Sequence, residues 1–314
     1  MTTTTPPVTA REPLAAEGRR RARLSEGARA ERRLGWLLCA PAVIVMIAVT
    51  AYPIGYAVYL SFQRYILSAP QLNKFVGLGN YGAVLSSPFW WHALIVTIII
   101  TAASVAIELV LGMLLALLMY RTIFGRGTVR TTMLIPYGIV TIVAAFGWQY
   151  AWTPSTGYLS ALFNNSAPLT KTGAAIAIII LAEIWKTTPF MALLLMAGLS
   201  LVPEDLLKAA KVDGATAWQR FIRIMVPLMK PAILVALLFR TLDAFRIFDN
   251  IFILTTGANN TSSVSMLNYS NLFTGFNFGI GSAMSVLILI CVAIIAVLFI
   301  RGFGTAAPGS SLQR

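Results

Sequence analysis

Charged and amide side chains recur at close spacing inside one apolar stretch of the chain. Arg240, Asp243, Arg246 and Asp249 follow one another in steps of three residues, and Asn250 completes the set. Residues three apart are neighbours on a helix surface, so alternating charges at this spacing predict a ladder of ion pairs along one helix. Such groups also donate and accept hydrogen bonds, which suits a polar solute such as a sugar better than an ion or a lipid.

A second polar group lies in another apolar stretch, where Glu183 and Lys186 are three residues apart. We expect these two side chains to pair, and we expect Pro189 to break the helix and free backbone carbonyls for a cavity. Trp185 and Phe245 are candidates to stack on the apolar face of a sugar ring. Together these residues predict a polar, water-filled pathway for a small solute.

A structural interpretation of the same residues stays open, and it applies equally to Glu108, an isolated charge in an apolar segment. Charged groups at membrane depth are costly, and they mark either a pathway or ion pairs that hold helices together. In the second case none of them would touch a solute. The sequence alone does not choose between the two interpretations.

The composition of the chain is that of a polytopic membrane protein. Of its 314 residues, 58% are hydrophobic and only 11% are charged, whereas soluble domains carry about 25% charged residues. Six apolar segments are each long enough to cross a bilayer of ~30 Å, so we expect an all-α protein with six transmembrane helices. The predicted spans are residues 34–62, 91–119, 130–152, 172–200, 231–254 and 279–303.

The net charge of +13 is distributed as membrane topology requires. Eight arginines lie in the first 33 residues, and further Lys and Arg residues lie in alternate loops, at 121–130 and 208–230. Cytoplasmic loops carry such an excess, so both termini are expected to be cytoplasmic and binding to nucleic acid is not expected. Residues 1–33 are predicted to be a largely disordered tail, residues 34–303 the membrane domain and residues 304–314 a second tail.

The 203–230 loop is a polar, amphipathic insertion between two apolar spans. Pro203 followed by acidic residues favours a helix start, and Asp213-Gly214 favours a sharp turn. Beyond the turn, Trp218, Phe221, Ile222 and Met225 have the spacing of one helix face. Two short helices joined at a glycine predict a knob that docks on another protein, although a basic amphipathic loop can also lie on lipid headgroups.

The residues of this loop resemble the EAA loop of permease subunits in binding-protein-dependent ABC importers, of the maltose-permease-like type. The positions that match are Ala209, Ala210, Asp213, Gly214, Ala215, Phe221, Ile224, Pro227 and Pro231. Lys208 is a departure, because the family has Glu there. The segments FVGLGNY, EIWKTTPF and LLFRTLDAFRIFDNIFILT resemble sugar permeases of the same family, those of trehalose importers in particular.

The resemblance implies a type I ABC importer permease fold in the cell membrane, in which the loop forms a coupling helix. It implies that Lys208, Ala209, Ala210, Asp213, Gly214, Ala215, Trp218 and Phe221 face an ATPase subunit. The implied partners are a second permease subunit, an ATPase dimer, a sugar-binding lipoprotein and membrane lipid.

No phosphate-binding loop, metal-ligand cluster or catalytic constellation occurs in the sequence. We therefore expect ATP and Mg²⁺ to be bound by the ATPase, and no cofactor, metal or enzymatic activity in this chain. An ion-gradient-driven secondary transporter, with the charged spans as proton relays, is the alternative interpretation.

Overall fold

The computed structural model describes residues 26–121, 125–164 and 166–303. These residues are mostly helical. The helices are α1 (Glu26–Ser61), α2 (Gly79–Leu85), α3 (Pro88–Arg121), α4 (Arg126–Gly138), α5 (Thr141–Ala151), α6 (Tyr158–Leu162), α7 (Thr172–Leu199), α8 (Glu204–Val212), α9 (Ala217–Arg220), α10 (Val226–Ala244), α11 (Asp249–Leu254), α12 (Val264–Tyr269) and α13 (Phe278–Phe303). Two short strands, β1 (Gln63–Arg64) and β2 (Lys74–Phe75), pair antiparallel. Short 3-10 turns lie at Pro70–Leu72 and Pro168–Thr170, and π-helical turns at Phe221–Met225 and Ser270–Thr274.

The chain divides into two units, residues 1–55 and residues 56–314. In the first unit, the described residues belong to α1, and most side chains from residue 33 onward are exposed. The second unit contains the remaining elements. Most of the predicted tail at residues 1–33 and all of the predicted tail at residues 304–314 lie outside the described residues.

Five helical segments are long and apolar enough to cross a membrane, and a bent helix pair brings the number to six if it counts as one span. The five are Arg33–Ser61, Pro88–Tyr120, Thr172–Leu199, Ala217–Leu254 and Phe278–Gly302. Four of them agree within a few residues with the predicted first, second, fourth and sixth spans, whereas Ala217–Leu254 contains the predicted fifth span, residues 231–254, but begins earlier, at α9. Because the length of an apolar segment is a local property, these segments could be predicted from the sequence alone.

The third predicted span, residues 130–152, is not one continuous helix. Helix α4 ends at Gly138, α5 begins at Thr141, and the two are bent by 83°. Ile139, between them, has an extended backbone. The break interrupts the main-chain hydrogen bonds and leaves the last carbonyls of α4 without partners inside that helix.

The charged ladder also lies on two elements instead of one helix. Helix α10 ends at Ala244, and α11 begins only at Asp249. Arg240 and Asp243 are therefore on α10, Arg246 is in the connection, and Asp249 and Asn250 open α11. The prediction of a ladder along one helix is wrong, because the chain leaves the helical path halfway through the run.

The opposite error concerns Pro189, which does not break its helix. Helix α7 runs without interruption from Thr172 to Leu199, although proline lacks the N–H that would donate to the carbonyl of Trp185. Two threonine hydroxyls before the proline donate to carbonyls one turn back, Thr187 to Glu183 and Thr188 to Ile184, at 2.7 and 2.6 Å. These bonds reinforce the turn before the proline but do not replace the donor that the carbonyl of Trp185 loses.

Helix α7 is the central packing element of the second unit. Its residues Met191 and Leu195 belong to a buried cluster with Met113 of α3 and Met229 of α10. At Gly112 of α3, an added Cβ would lie 2.8 Å from Cγ of Met191, so the two helices approach closely. Small residues at helix crossings permit such approach and increase van der Waals contact, which drives helix association in membranes.

The 203–230 loop forms α8 and the start of a long helical segment. Pro203 precedes α8, and Glu204 and Asp205 occupy its first turn, as predicted. The second predicted helix is not a separate short one. Helix α9 passes through the π-helical turn Phe221–Met225 directly into α10, and Pro227 and Pro231 lie within α10. Pro227 lies next to the π-helical turn at the start of α10, and Pro231 lies inside the helix, where proline lacks the N–H of an ordinary residue.

Candidate functional site

A polar cavity of about 440 Å³ lies where the breaks of α4–α5 and α10–α11 meet α7. Interrupted helices leave backbone and side-chain polar groups at membrane depth, and such groups are tolerated only where protein or water satisfies them. The lining residues are Tyr137, Thr141, Glu183, Lys186, Thr187, Asp243, Arg246, Ile247, Phe248, Asp249 and Asn250.

Arg240 organises the charges behind this cavity. Its guanidinium is fully buried and donates to three carboxylates. It binds Glu108 through Nε and Nη2 at 2.5 and 3.0 Å, Glu183 through Nη2 at 2.7 Å, and Asp243 through Nη1 at 2.8 Å. A carboxylate oxygen of Glu108 also lies 2.9 Å from Thr187 Oγ1, whose single O–H is shared between this carboxylate and the backbone carbonyl of Glu183. The planar guanidinium has five donors in a fixed geometry, so it holds carboxylates from three helices, α3, α7 and α10, in one arrangement.

Through Glu183 this network also fixes Asn250. The second carboxylate oxygen of Glu183 accepts from Nδ2 of Asn250 at 2.6 Å. Both oxygens of Glu183 are thereby engaged, one by Arg240 and one by Asn250. Asp243 differs, because its side chain is 61% exposed and only one of its oxygens binds Arg240. Its other oxygen is available to accept a hydrogen bond from a solute hydroxyl.

Lys186 does not pair with Glu183, contrary to the prediction. Its ammonium group donates to the backbone carbonyls of Ile139 at 2.9 Å and Tyr137 at 3.4 Å. It also lies 5.6 Å from the centre of the Tyr137 ring. Glu183 is engaged by Arg240 and Asn250, while the break between α4 and α5 presents carbonyl oxygens to the lysine instead.

Six of the nine pathway residues predicted from the sequence line the cavity: Glu183, Lys186, Asp243, Arg246, Asp249 and Asn250. The other three do not line it. Arg240 is buried behind the cavity wall. Trp185 packs edge-on against Trp148, with ring centres 6.1 Å apart, and Phe245 is buried in an apolar cluster. No aromatic residue that we singled out therefore faces the cavity.

Sequence reasoning missed four polar or aromatic lining residues, Tyr137, Thr141, Thr187 and Phe248. Tyr137 and Thr141 flank the break between α4 and α5, and the run Pro136-Tyr137-Gly138 is the local signal for it. Phe248 lies in the connection between α10 and α11. Its neighbours Arg246 and Asp249 marked the segment, but their charges were assigned to one continuous helix.

The residues that we predicted to face an ATPase lie on α8, the following turn and α9. Ala209, Asp213 and Gly214 are exposed, Ala210 and Ala215 are half-buried, and Lys208 is exposed. Trp218 is 69% exposed, so a large apolar side chain protrudes from this loop. Phe221 instead packs partly against the apolar cluster of α7 and α10.

Gly214 ends α8 in a defined geometry. It has a φ of +82°, the left-handed region that favours glycine. Its N–H donates to the carbonyl of Lys211 at 3.2 Å, and the N–H of Ala215 donates to that of Ala210 at 2.9 Å. This pair of bonds is the Schellman motif, which satisfies the free carbonyls at the end of a helix. Arg220 Nη1 then donates to the carbonyl of Ala215 at 2.8 Å and ties the turn to α9.

Lys208 has partners within its own helix. Its ammonium group lies 3.6 Å from a carboxylate oxygen of Glu204 and 3.4 Å from one of Asp205, and all three side chains are largely exposed. Exposed pairs of this kind contribute only about 0.2–1 kcal/mol. The lysine is therefore held weakly, and its charge is partly balanced before any partner protein binds.

Within the described residues, no group of three or more His, Cys, Asp or Glu side chains is arranged to hold a metal ion. Two of the cavity carboxylates are instead engaged within the protein, Glu183 by Arg240 and Asn250 and Asp243 by Arg240. The cavity is lined by cationic hydrogen-bond donors, anionic acceptors and uncharged polar groups, and its space suits a small solute.

Comparison with known proteins places this geometry in context. The sequence profile of the family described as binding-protein-dependent transport system inner membrane component matches residues 76–305. The trehalose transport system permease protein SugA of Mycobacterium tuberculosis is 63% identical over 281 residues, which cover 89% of this chain and 92% of that protein. The trehalose/maltose transport system permease protein MalF of Thermococcus litoralis is 38% identical over 280 residues, covering 86% and 94%. These relatives are transport permeases, not ATPases.

Among solved structures, a chain of a bacterial ABC transporter that imports the acidic polysaccharide alginate superposes with a TM-score of 0.77. The superposition covers 90% of this chain and all of that chain, at 22% sequence identity. At this identity the likeness concerns the fold alone, which is that of a type I ABC importer permease.

Proposed function

Because the chain belongs to the family of inner membrane components of binding-protein-dependent transport systems, we propose that it is a permease subunit of an ATP-driven trehalose importer. The main support for this proposal is the cavity between the broken helices. It contains carboxylate, amide, hydroxyl and cationic groups in a space of about 440 Å³, and vicinal hydroxyls of a sugar require such mixed donors and acceptors. Trehalose is proposed from the 63% identity to a trehalose permease.

The subunit forms half of the translocation pathway, and the other half comes from a second, SugB-like permease subunit. ATP and Mg²⁺ are bound by a SugC-like ATPase dimer, and a sugar-binding lipoprotein of the LpqY type delivers the substrate on the outer side. Both termini and the 203–230 loop face the cytoplasm, as the distribution of Lys and Arg indicates. A solved relative by fold is an alginate transporter in complex with its sugar-bound periplasmic protein, which supports a separate donor protein.

The 203–230 loop couples ATP hydrolysis to the cavity by a short mechanical route. Trp218 lies on α9, and α9 continues through the π-helical turn into α10. Helix α10 ends at Ala244, directly after Asp243 of the cavity wall. A displacement of the loop by the closing ATPase dimer therefore moves one wall of the cavity relative to α7, and the cavity opens to alternate sides. The two states respond to ATP only because they differ in contact free energy with the ATPase.

The test is uptake of labelled trehalose by proteoliposomes that contain the complete transporter, with ATP enclosed and the binding protein outside. We expect uptake to require ATP and the binding protein, and to be inhibited by unlabelled trehalose. Uptake that an ion gradient drives without nucleotide would contradict the proposal and would favour a secondary transporter.

Within the same assay, Asp243→Asn tests the role of the cavity. The amide keeps the size of the side chain and one acceptor oxygen, but it loses the negative charge that the solute hydroxyls would meet. We expect the KM for trehalose to rise roughly tenfold, since hydrogen bonds to charged groups are worth about 1.5–3 kcal/mol. ATPase activity without sugar serves as the control and should be retained. An unchanged KM would remove Asp243 from the sugar pathway.

A further inference from the structure

Lys186 is a buried cation that has main-chain partners instead of a carboxylate. Its side chain lies on α7 and the residue is 7% exposed. Among the described residues, no Asp or Glu oxygen lies within the 4.0 Å of an ion pair with it; the buried pairs belong to Arg240. Its hydrogen bonds go to the carbonyls of Ile139 and Tyr137, at 2.9 and 3.4 Å. An ammonium group at membrane depth is costly unless its N–H donors have partners. The choice of carbonyls instead of a carboxylate as these partners therefore requires an explanation.

The two carbonyls lie at the C-terminal end of α4, where that helix breaks. The carbonyl of Tyr137 is among the last of α4, which lack partners inside the helix and form the negative end of its dipole, whereas the carbonyl of Ile139 belongs to the extended residue at the break. Carbonyls of interrupted transmembrane helices coordinate small cations in membrane transporters. The Tyr137 ring, 5.6 Å from the ammonium nitrogen, adds a cation–π contact. The joint between α4 and α5 therefore has the chemistry of a monovalent-cation site.

We propose that this joint is a built-in monovalent-cation site which Lys186 occupies as a tethered ammonium ion. The ammonium fixes the end of α4 against α7, and Phe190, one turn after Lys186, stacks on Tyr137 with ring centres 5.2 Å apart. Tyr137 and Thr141, on the two sides of the joint, line the cavity. Lys186 is thus a positioning residue for the cavity wall.

This role differs from that of a direct sugar ligand, and it does not depend on which sugar is carried. If Lys186 were a direct sugar ligand, removing its side chain would change the protein only when sugar is bound. A tethered cation stabilises the α4–α5 joint with the cavity empty, because two of its three N–H donors are already used by the carbonyls. A measurement without sugar separates the two roles.

The test removes the tether and supplies the cation from solution. The Lys186→Ala variant keeps the two carbonyls and leaves space beside them for a small alkylammonium ion. Without sugar, we expect the assembled transporter to have a lower thermal midpoint, and ethylammonium to restore it. Trehalose uptake should fall about tenfold, the order expected for losing hydrogen bonds to a charged group, and should recover with ethylammonium. Tetramethylammonium, which has no N–H donor, should restore neither.

The matched control is Lys171→Ala, which removes an exposed lysine at the start of the same helix. It should change neither the midpoint nor uptake, and it should not respond to amines. The proposal is overturned if Lys186→Ala is as stable as the wild type without amine, or if its losses do not respond to ethylammonium.

If Lys186→Ala does not assemble, it is expressed with and without ethylammonium. Assembly only in the presence of the amine supports the cation site, and no assembly under either condition overturns it. Failure of the proposed function appears differently, as absence of trehalose uptake in the wild type, while the sugar-free thermal midpoint still reports on the cation site.

Discussion

At the scale of single residues, Arg240 determines which charges of the cavity are free. It is fully buried and binds Glu108, Glu183 and Asp243, and Glu183 in turn binds Asn250. Three carboxylates around one guanidinium would repel one another without it. The arginine therefore supports the arrangement of the cavity wall, although its own side chain does not line the cavity.

We predict that Arg240→Met lowers the free energy of unfolding by about 3–5 kcal/mol, because it leaves buried carboxylates without their partner. Chemical denaturation of the detergent-solubilised protein measures this change. Arg223→Met, which removes an exposed arginine, should change stability by less than about 0.5 kcal/mol. Equal stability of the two variants would contradict a structural role for the buried network.

At the scale of elements, the position of α7 depends on close helix crossings. Gly198 lies near the end of α7, and a Cβ added there would overlap the Cβ of Ala232 on α10. Gly173, at the beginning of the same helix, has open space around it. The two glycines therefore give a matched pair, in which only one allows helices to approach.

We predict that Gly198→Leu destabilises the protein by about 1–3 kcal/mol, since the larger side chain forces α7 and α10 apart. Because α10 also carries Asp243, trehalose uptake should fall as well. Gly173→Leu should be tolerated in both assays. Thermal unfolding and uptake of the two variants provide the comparison, and similar losses at both positions would show that the crossing at Gly198 is not the cause.

The turn after α8 gives a second prediction at this scale. Gly214 has a φ of +82° and donates its N–H to Lys211. Proline locks φ near −65° and has no N–H, so Gly214→Pro cannot form this turn. We expect it to abolish sugar-stimulated ATPase activity of the complete transporter while membrane insertion is unchanged. Gly127→Ala, in helix α4 with open surroundings, is the control. Wild-type coupling in Gly214→Pro would disprove the role of the turn.

At the scale of the whole molecule, the protruding side chain of Trp218 points to assembly with another protein. It is 69% exposed, and it lies on the helical segment that continues into the cavity wall. Tryptophans at the centre of an interface often contribute 2 kcal/mol or more to binding. On the proposed assembly, this side chain contacts the ATPase.

We predict that Trp218→Ala weakens binding of the ATPase dimer at least about tenfold and leaves the stability of the isolated chain unchanged. Binding of purified ATPase to the permease pair in nanodiscs measures the effect. Tyr158→Ala also removes an exposed aromatic ring, at the start of α6 and outside the 203–230 loop, and should not alter ATPase binding. Unchanged affinity in Trp218→Ala would exclude it from the interface.

Much of this protein could be predicted from its sequence, because the deciding properties are local. The long apolar segments follow from hydrophobic length, and α8 with its turn follows from Pro203, the acidic first turn and Asp213-Gly214. The charges at residues 183, 186, 243, 246 and 249 stand out wherever they lie in the fold, since burying a charge is costly in any apolar segment.

Only the tertiary structure decided where the helices break and which partners the charges choose. Pro189 lies inside an unbroken helix, whereas α4 and α10 end within predicted spans. Lys186 binds carbonyls some 47 residues away in sequence instead of Glu183 three residues away, because Arg240 and Asn250 already occupy that carboxylate. These outcomes depend on groups that different helices bring together, and helical periodicity carries no information about such neighbours.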